Sequence, residues 1–301
     1  MTEAEPRMSP DELWAFADLL RERYGIVFGH DARSSVERKL RERLTRLALP
    51  SFTEYVRILR SDRGEAELAE AVDLVTVNET YFLREEPQLR AFASEGVALL
   101  GHPRRLSVWS AGCSTGEEAY SIAIALLEAG KPADGIRVVG TDASRRCIQA
   151  ARRGVYGASA FRAVQDATRR RWFQEQGGGF TAIPEVRQTV HFSHMNLLDR
   201  ARASLIGTVD AVFCRNVLIY MEDAARDRVV RTFFEMLAPG GLLLLGHSES
   251  LLHDQQRSAR QSFTSEAEPV QSSATLFEPV HLRSEIVYRK PPERRPARGR
   301  T

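Results

Sequence analysis

The sequence predicts an α/β protein in which a small helical domain precedes a doubly wound parallel sheet. In residues 106–125, a short apolar run leads through a glycine-bracketed loop into apolar residues at helical spacing. A second apolar run, residues 136–140, ends at Thr141 and Asp142 and precedes another helical pattern. Residues 10–75 carry helical patterns only. Helices followed by alternating strands and helices are typical of an α/β domain with a helical extension.

The N-terminal domain is predicted to be all-α, with a flexible segment of residues 1–9 before it. The first helix begins after Ser9, because a capping residue is followed there by proline and two acids. Helices are expected over residues 10–24, 31–49, 51–59 and 65–74. The second helix has apolar residues at core spacing, namely Val36, Leu40, Leu44 and Leu47.

The second helix is also strongly basic, with Arg33, Arg38, Lys39, Arg41, Arg43 and Arg46 against Glu37 and Glu42. Two interpretations are open. This charge is an ordinary solvated surface, which is the usual meaning of such a run. Alternatively, it docks an acidic helix through charge complementarity.

Residues 76–84, which read TVNETYFLR, begin a predicted linker of residues 76–100 between the two domains. Their polar residues at fixed offsets are compatible with a helix cap and its first turn. Two adjacent aromatic residues beside a polar triplet are equally typical of a segment that closes over a cofactor. The sequence alone leaves both interpretations open.

The loop between the first strand and its helix is bracketed by Gly112 and Gly116, which let the backbone turn sharply and approach a ligand. Glu117 and Glu118 in the first helical turn favour the positive end of the helix dipole but would repel a pyrophosphate. The loop is therefore either a simple tight turn or a site for a ligand with hydroxyls or a cation. Asp142 lies where nucleotide-binding folds hold ribose hydroxyls, although it could instead cap the next helix.

Residues 101–288 are predicted to form the sheet domain, interrupted at about 155–190 by an inserted helix and a small antiparallel hairpin. Further strands are expected within residues 191–198 and at 209–214, 242–245, 275–277 and 286–288. A helix over residues 224–237 should be stopped by Pro239, Gly240 and Gly241. The proline- and arginine-rich tail, residues 289–301, cannot form a core and is expected to be disordered.

Composition narrows the function classes. With 43% hydrophobic residues, 27% charged residues and a net charge of +2, the chain has no global bias toward nucleic acid. Three scattered cysteines, no signal-peptide pattern and no apolar run of about 18 residues predict a reduced cytoplasmic protein without a membrane span. His191 and His194 lack a nearby third ligand, so we expect no metal site.

Six segments carry a resemblance to a known family, in the order TVNETYFLR, SAGCSTGEEAYS, TDAS, MNLL, FCRNVLIYM and GGLLLLGHSESL. Over residues 10–290 the chain resembles the CheR-type chemotaxis receptor methyltransferases. The resemblance implies S-adenosylmethionine as cofactor, an all-α N-terminal domain, and a Rossmann-like catalytic domain with an inserted β-subdomain. Leu83 stands where the family often has phenylalanine, and Ala119 where it often has proline. Both residues are apolar, so these differences affect packing and not the chemistry of the site.

The resemblance also implies roles for individual residues. On the linker motif, the cofactor contacts would be Asn78, Thr80 and Arg84. On the first two strand–loop units they would be Glu118 and Asp142, with Asp142 at the ribose. Asn196 and Leu197 would contact the adenine, and Asn216 and Val217 the methionine end. Arg84 and Tyr220 match the residues nearest the transferred methyl group and would be catalytic. The basic residues Arg38, Lys39 and Arg41 would dock the substrate.

The implied reaction is methyl transfer from S-adenosylmethionine to glutamate carboxylates in the cytoplasmic, acidic helices of chemoreceptors, carried out by a monomer. This cofactor carries a sulfonium and an ammonium but no phosphate, which explains why Glu117 and Glu118 are tolerated. A non-catalytic regulatory protein that binds the same cofactor is one alternative. A small-molecule methyltransferase or an NAD-dependent oxidoreductase is another, but the loop lacks the GxGxxG spacing that NAD binding favours.

Overall fold

The computed structural model describes residues 6–28, 33–61, 64–76, 78–252 and 272–293. A domain of four helices precedes a seven-stranded sheet, and a separate three-stranded sheet lies within an insertion. The predicted α/β fold class, with its helical N-terminal domain and inserted β-subdomain, is confirmed.

The N-terminal domain contains α1 (Pro10–Tyr24), α2 (Arg33–Arg46), α3 (Phe52–Arg60) and α4 (Glu65–Val75). Helix α1 begins with a capping box between Ser9 and Glu12 and ends at Gly25, whose φ of 71° is the left-handed conformation that glycine favours. Phe16, Leu40 and Tyr55 are fully buried and contribute to one core between these helices.

The structure corrects two details of this domain. Met8 is completely buried, and its carbonyl oxygen accepts a hydrogen bond from Arg33, so the part of the predicted flexible segment that includes Met8 is packed. Residues 1–5 lie outside the described chain. Leu47, predicted as core, is 36% exposed because α2 already ends at Arg46. Residues 31 and 32 of the predicted helix are also outside the described part.

Much of the segment predicted as a linker is helical. It contains α5 (Glu86–Ala91), a π-helical turn (Phe92–Gly96) and α6 (Val97–Leu99). Leu89, Phe92 and Val97 are buried in the same core as the strand residues Leu106 and Val108. Residues 86–99 therefore pack as part of the sheet domain.

The ten strands are β1 (Leu106–Ala111), β2 (Ile136–Asp142), β3 (Val155–Tyr156), β4 (Phe173–Gln176), β5 (Gly179–Ala182), β6 (Val190–His194), β7 (Val209–Cys214), β8 (Leu237–Leu245), β9 (Glu278–Leu282) and β10 (Glu285–Arg289). The main sheet has the order β6-β2-β1-β7-β8-β10-β9. Its first five strands are parallel, and β10 is antiparallel to both of its neighbours. The chain leaves β1 first toward β2 and later returns to β7, so the strand order reverses between β1 and β7.

The helices of this domain are α7 (Glu117–Glu128), α8 (Arg145–Arg153), α9 (Asp166–Trp172), α10 (Pro184–Arg187), α11 (Arg200–Ser204) and α12 (Asp223–Met236). Two cores cover the two faces of the sheet. Neighbouring residues of β1 alternate between them, because Val108 belongs to the core with α7 and Trp109 to the core with α12. The Trp109 ring meets Phe233 of α12 edge to face at 5.2 Å.

The insertion has the predicted helix and antiparallel hairpin. Helix α9 leads into β4, and β4 pairs with β5 across a turn at Gly177 and Gly178. Strand β3 completes this small sheet in the order β3-β5-β4.

Two features of the last third of the chain differ from expectation. Pro239, Gly240 and Gly241 do not stop a helix but lie inside β8, where the pairing with β7 jumps from Val209 to Ala211 across a bulge. Proline lacks the N–H that regular pairing needs, and a bulge accommodates it. Residues 273–276 form a 3-10 turn, so the predicted strand at 275–277 is wrong and β9 begins at Glu278. Most of the predicted disordered tail, from residue 294, lies outside the described chain. Within the described residues, no helix combines the length and apolar character needed to cross a bilayer.

Candidate functional site

A cavity of about 350 Å³ lies at the carboxyl ends of the parallel strands. Its walls include the loops that follow β1, β2, β6 and β7, on both sides of the point where the strand order reverses. This is where open α/β sheets bind their ligands. The volume is within the range of roughly 300–1,000 Å³ that is usual for small-molecule sites.

All the predicted cofactor and catalytic residues line this cavity: Asn78, Thr80, Arg84, Glu118, Asp142, Asn196, Leu197, Asn216, Val217 and Tyr220. They come from the linker motif and from four different strand–loop units, up to 142 positions apart in the sequence (Tyr220 minus Asn78). The predicted docking residues Arg38, Lys39 and Arg41 are not among the lining residues and lie on α2. Lys39 Nζ donates to the carbonyl oxygen of Val75, 3.4 Å away, and Val75 does line the cavity.

The glycine loop after β1 is shaped by close contact with the loop after β7. Gly112 has φ 81°, and a Cβ at this position would lie 2.4 Å from Val217 Cγ2. The N–H groups of Gly112 and Cys113 both donate to the carbonyl oxygen of Thr141. A side chain at position 112 would therefore push against a cavity wall.

Asp142 holds the loops after β1 and β2 together. Its Oδ2 accepts from the N–H of Ser114 at 2.8 Å, and its Oδ1 accepts from the N–H of Ser144 at 2.8 Å. The cap of α8 is the Ser144 side chain, which accepts from the Cys147 N–H. Burial raises the pKa of the Asp142 carboxyl above its usual range, while these N–H bonds act in the opposite direction. Asp142 thus presents a carboxylate at the cavity and does not itself cap the helix.

The two acids at the start of α7 have different environments. Glu118 lines the cavity, accepts from Ser110 Oγ at 2.7 Å and forms an ion pair with Arg215 at 2.8 Å. Glu117 is not among the lining residues, and its carboxylate accepts from Thr115 Oγ1. Burial raises the pKa of Glu117. Only one of the two acids is therefore placed to meet a bound cation.

Arg215 is a site residue that the sequence reasoning missed. Its side chain is only 2% exposed and lies between Glu118 and Glu85. It also donates to the backbone oxygen of Arg84 at 2.9 Å. An arginine directly after a buried strand of an α/β sheet was the available signal, because charged side chains there face the ligand crevice.

Arg84 sits on a backbone segment held in an unusual conformation. Its neighbours Leu83 and Glu85 both have positive φ, 59° and 54°, which is rare for residues with side chains and clusters at functional sites. The next helix begins at Glu86 with no side-chain cap, so Asn78 and Thr80 do not cap it. The interpretation of this motif as a helix cap was therefore wrong, and both Asn78 and Thr80 line the cavity instead.

An aromatic cluster anchors this segment to the insertion. Phe82 is fully buried against Tyr156, Phe161 and Phe173, with ring centroids 4.7–4.9 Å apart. Arg162 of the insertion stacks on the Tyr81 ring at 3.9 Å. The backbone that carries Arg84 is thus fixed by the insertion and by Arg215.

The N-terminal domain supplies the remaining wall. Residues 24–28 line the cavity through Tyr24, Ile26, Val27 and Phe28. The Val27 N–H donates to the backbone carbonyl oxygen of Tyr220 at 2.9 Å. The Glu222 N–H donates to the backbone carbonyl oxygen of Gly25 at 2.9 Å. Tyr220 itself is 40% exposed. The loop after α1 therefore docks on the segment that carries Tyr220.

Asn196 uses its side chain to join the domains. Its Nδ2 donates to the Arg23 oxygen at 2.6 Å, and its Oδ1 accepts from the Leu198 N–H. Asn196 and Leu197 form the cavity wall beyond β6. The polar atoms of this asparagine are thus engaged in holding the wall in place.

The cavity offers carboxylate acceptors for hydroxyls and cationic groups, beside the two arginines Arg84 and Arg215. Glu79, Glu118 and Asp142 line it, and acids rather than bare N–H groups occupy the first turn of α7. No group of three or more histidine, cysteine or acidic side chains suited to a metal ion occurs among the described residues. S-adenosylmethionine fits this donor set, because its cations can meet carboxylates and its ribose hydroxyls can meet Asp142.

A sheet of this topology with such a site at its switch point is typical of a cofactor-binding α/β domain. Residues 78–267 match the family model described as the CheR methyltransferase SAM-binding domain. Residues 11–76 match the CheR methyltransferase all-alpha domain. The chain therefore belongs to the CheR methyltransferase family, and S-adenosylmethionine is its cofactor.

Three similar proteins cover most of the chain. Chemotaxis protein methyltransferase 2 of Vibrio cholerae is 35% identical over 78% of this chain and 84% of its own length. The chemotaxis protein methyltransferase of Klebsiella aerogenes is 36% identical, over 78% and 81%. The probable biofilm formation methyltransferase WspC of Pseudomonas aeruginosa is 36% identical over 80% of this chain but only 57% of its own length.

Proposed function

We propose that this protein transfers the methyl group of S-adenosylmethionine to glutamate side chains in the cytoplasmic helices of chemoreceptors, which yields glutamate methyl esters and S-adenosylhomocysteine. One observation carries the proposal: Arg84 and Tyr220 line the same cavity as the carboxylates of Glu118 and Asp142. Relatives named chemotaxis protein methyltransferases support the choice of substrate. Such a reaction would take place in the cytoplasm.

The acceptor needs little activation. The cofactor supplies a sulfonium methyl group, which is open to attack by an anionic oxygen. A glutamate carboxylate has an ordinary pKa of about 4.3 and is ionised at pH 7, so no general base has to remove a proton. No histidine or lysine is present among the described residues that line the cavity. Catalysis would then come mainly from alignment of the reactants and exclusion of water.

Within this proposal, each site residue has a defined task. Arg84 binds the acceptor carboxylate, and Tyr220, at the exposed mouth, lies beside the reacting carbon. Asp142 accepts hydrogen bonds from the ribose hydroxyls, and Glu118 meets a cationic group of the cofactor. The remaining predicted contacts are Asn78 and Thr80 on the linker motif, Asn196 and Leu197 at the adenine, and Asn216 and Val217 at the methionine end.

The substrate docks on α2 in this proposal. Receptor methylation segments are acidic helices, and Arg38 is exposed on α2. Lys39 links this helix to the cavity rim through Val75. Arg41 is bound to Glu37 at 2.5 Å, and Arg43 to Glu67, so part of the positive charge of α2 is engaged within the domain.

A labelling experiment tests the function. The protein is incubated with a radioactive methyl donor and membranes from the host organism that contain chemoreceptors. We expect label on receptor bands, and mild base should release it, because carboxyl methyl esters hydrolyse easily. A base-stable product, or label on small molecules alone, would contradict the proposal.

A further inference from the structure

The turn after β8 carries a buried carboxylate that the proposed reaction does not use. Glu249 is 7% exposed and lies in the segment GHSES. Its two oxygens accept five backbone N–H bonds: Oε2 from Asn216 at 2.7 Å and Gly246 at 2.9 Å, and Oε1 from Val217 at 2.9 Å, Leu218 at 2.7 Å and Ile219 at 3.3 Å. Four of these donors are consecutive residues of the loop that follows β7.

The Glu249 carboxylate thus caps the N–H groups of the loop after β7 with a negative charge. Consecutive backbone N–H groups that converge form a site for an anion, and here the chain supplies the anion itself. The N–H groups of residues 217–219 precede and begin the 3-10 turn Leu218–Tyr220, so the carboxylate also caps this turn. Burial raises the pKa of Glu249, while the N–H donors act against that rise.

The loop also contains one residue in the left-handed conformation. Asn216 has φ 60°, a conformation that costs free energy for a residue with a side chain. Its N–H makes the 2.7 Å bond to Glu249. Hydrogen bonds to a charged acceptor are stronger than neutral ones and can offset that cost.

The carboxylate is itself fixed from the sheet side. The Glu249 N–H donates to the Gly246 oxygen at 2.8 Å, and the Leu251 N–H donates to the Tyr288 hydroxyl of β10 at 2.9 Å. A Cβ at Gly246 would lie 3.0 Å from Glu249 Oε2 and 3.0 Å from the backbone nitrogen of Asn216. The turn after β8, the carboxylate and the loop after β7 thus form one tightly packed unit.

We propose that Glu249 is a positioning residue whose carboxylate holds residues 216–220 in the conformation that places Asn216, Val217 and Tyr220 around the cavity. The part of this inference that concerns cofactor and methyl transfer rests on the proposed function. The dependence of the loop conformation on Glu249 does not, and it can be measured in the free protein.

The test uses Glu249→Gln, which keeps the shape but replaces one acceptor oxygen with an N–H donor that faces other donors. We expect amide hydrogen exchange at residues 216–219 of the free protein to speed up by about tenfold or more, as the loss of charged hydrogen bonds predicts. Exchange in β1 should stay unchanged. Calorimetric titration should find S-adenosylhomocysteine bound about tenfold or more weakly.

The matched control is Glu285→Gln. Glu285 is buried to a similar degree, at 9% exposed, and accepts from His247 of the same turn at 3.0 Å, but it has no bond to residues 216–219 in the structure. This variant should keep wild-type exchange in the loop and wild-type affinity for S-adenosylhomocysteine. A purely general loss of stability would affect both variants alike.

The outcomes separate the two proposals. Wild-type exchange at residues 216–219 in Glu249→Gln, or equal acceleration in Glu285→Gln, overturns the role of Glu249. If Glu249→Gln does not fold, Glu249→Asp takes its place, since it keeps the charge but withdraws the oxygens by one methylene. Wild-type exchange in that variant overturns the role as well. A wild-type protein that fails to bind S-adenosylhomocysteine contradicts the proposed function and leaves the exchange test intact.

Discussion

Individual side chains around the cavity are already engaged with the fold before any ligand arrives. Asp142 accepts two backbone N–H bonds, and Glu118 is bound by Ser110 and Arg215. Groups that are held in place lose little freedom when they bind a ligand, which favours affinity and alignment. The cavity is in this sense preorganised at the level of single residues.

Arg84 is the residue whose removal should separate chemistry from binding. With Arg84→Ala we expect turnover to fall roughly 10²-fold, because a misplaced acceptor costs about that much. Affinity for S-adenosylhomocysteine should fall by less than about tenfold, since several other residues hold the cofactor. Saturation kinetics and calorimetric titration measure the two effects.

Arg170→Ala is the control for that experiment, because Arg170 is an exposed arginine on α9 and is not among the residues that line the cavity. Its turnover should stay near that of the wild type. If Arg84→Ala lost cofactor affinity while saturated turnover held, Arg84 would serve the cofactor alone.

Glu117 makes stability depend on pH in a predictable direction. Burial raises its pKa above the ordinary value of 4.5, so the folded state disfavours the ionised carboxyl. The stability that the protonated carboxyl contributes is present below pH 4.5 and is lost as pH rises through the raised folded pKa. Relative to Glu117→Gln, the wild type should therefore lose free energy of unfolding as pH rises from about 4 toward 7. Urea unfolding of both proteins across this range measures the difference, and a constant difference would refute the assignment.

At the scale of secondary-structure elements, the loops after β1 and β7 are fitted to each other. Gly112→Ala should abolish measurable binding of S-adenosylhomocysteine, because its Cβ would lie 2.4 Å from Val217. It should also lose about 1–2 kcal/mol of stability from its left-handed backbone. Calorimetry and thermal unfolding measure the two losses.

Gly130→Ala separates the two causes. Gly130 has a similar φ of 85°, but a Cβ there would meet nothing within 4 Å. We expect the same loss of stability with normal ligand binding. Equal binding by both variants would show that the contact with Val217 is unimportant for the site.

Elements could be predicted from sequence where neighbouring residues decide the structure. Ser9 and Glu12 fix the start of α1, and Gly25 fixes its end, all within one helix. The failures occurred where distant contacts decide. Pro239 lies in a strand because the residues on both sides of it, Leu237 and Leu242, pair with β7. Residues 86–99 belong to a core that they share with β1.

For the molecule as a whole, the proposed docking of a large substrate on α2 can be tested by charge reversal. Arg38→Glu should raise KM for receptor roughly fivefold at low salt, as expected for exposed charge pairs. The effect should shrink at about 1 M salt, where the screening length is about 3 Å. Methylation of receptor membranes at several salt concentrations measures KM.

Arg60→Glu is the matched control, because Arg60 is also exposed in the N-terminal domain and the change in net charge is identical. It lines a separate groove with Asp11 and Glu12. A similar rise in KM for both variants would mean that net charge, not docking on α2, controls the reaction.

The position of Asp142 was predictable because polar residues at the ends of parallel strands meet at one edge of the sheet, whereas the roles of Asn78, Thr80 and Asn196 followed only from the family resemblance. Arg215 and Glu249 were missed for a physical reason: their roles depend on partners far away in the sequence, such as Glu118 for Arg215 and Val217 for Glu249. The position of Arg215 directly after β7 was an available signal, but its ion pair with Glu118 and the contacts of Glu249 are visible only in the folded structure.

The loop after α1 has a consequence for how the two domains work together. Its hydrogen bonds to Tyr220 and Glu222, and the bond from Asn196 to Arg23, make the helical domain one side of the cofactor crevice. The domain that carries α2 therefore also carries one wall of the crevice, and a receptor docked on α2 as proposed would sit on the same domain that borders the methyl donor.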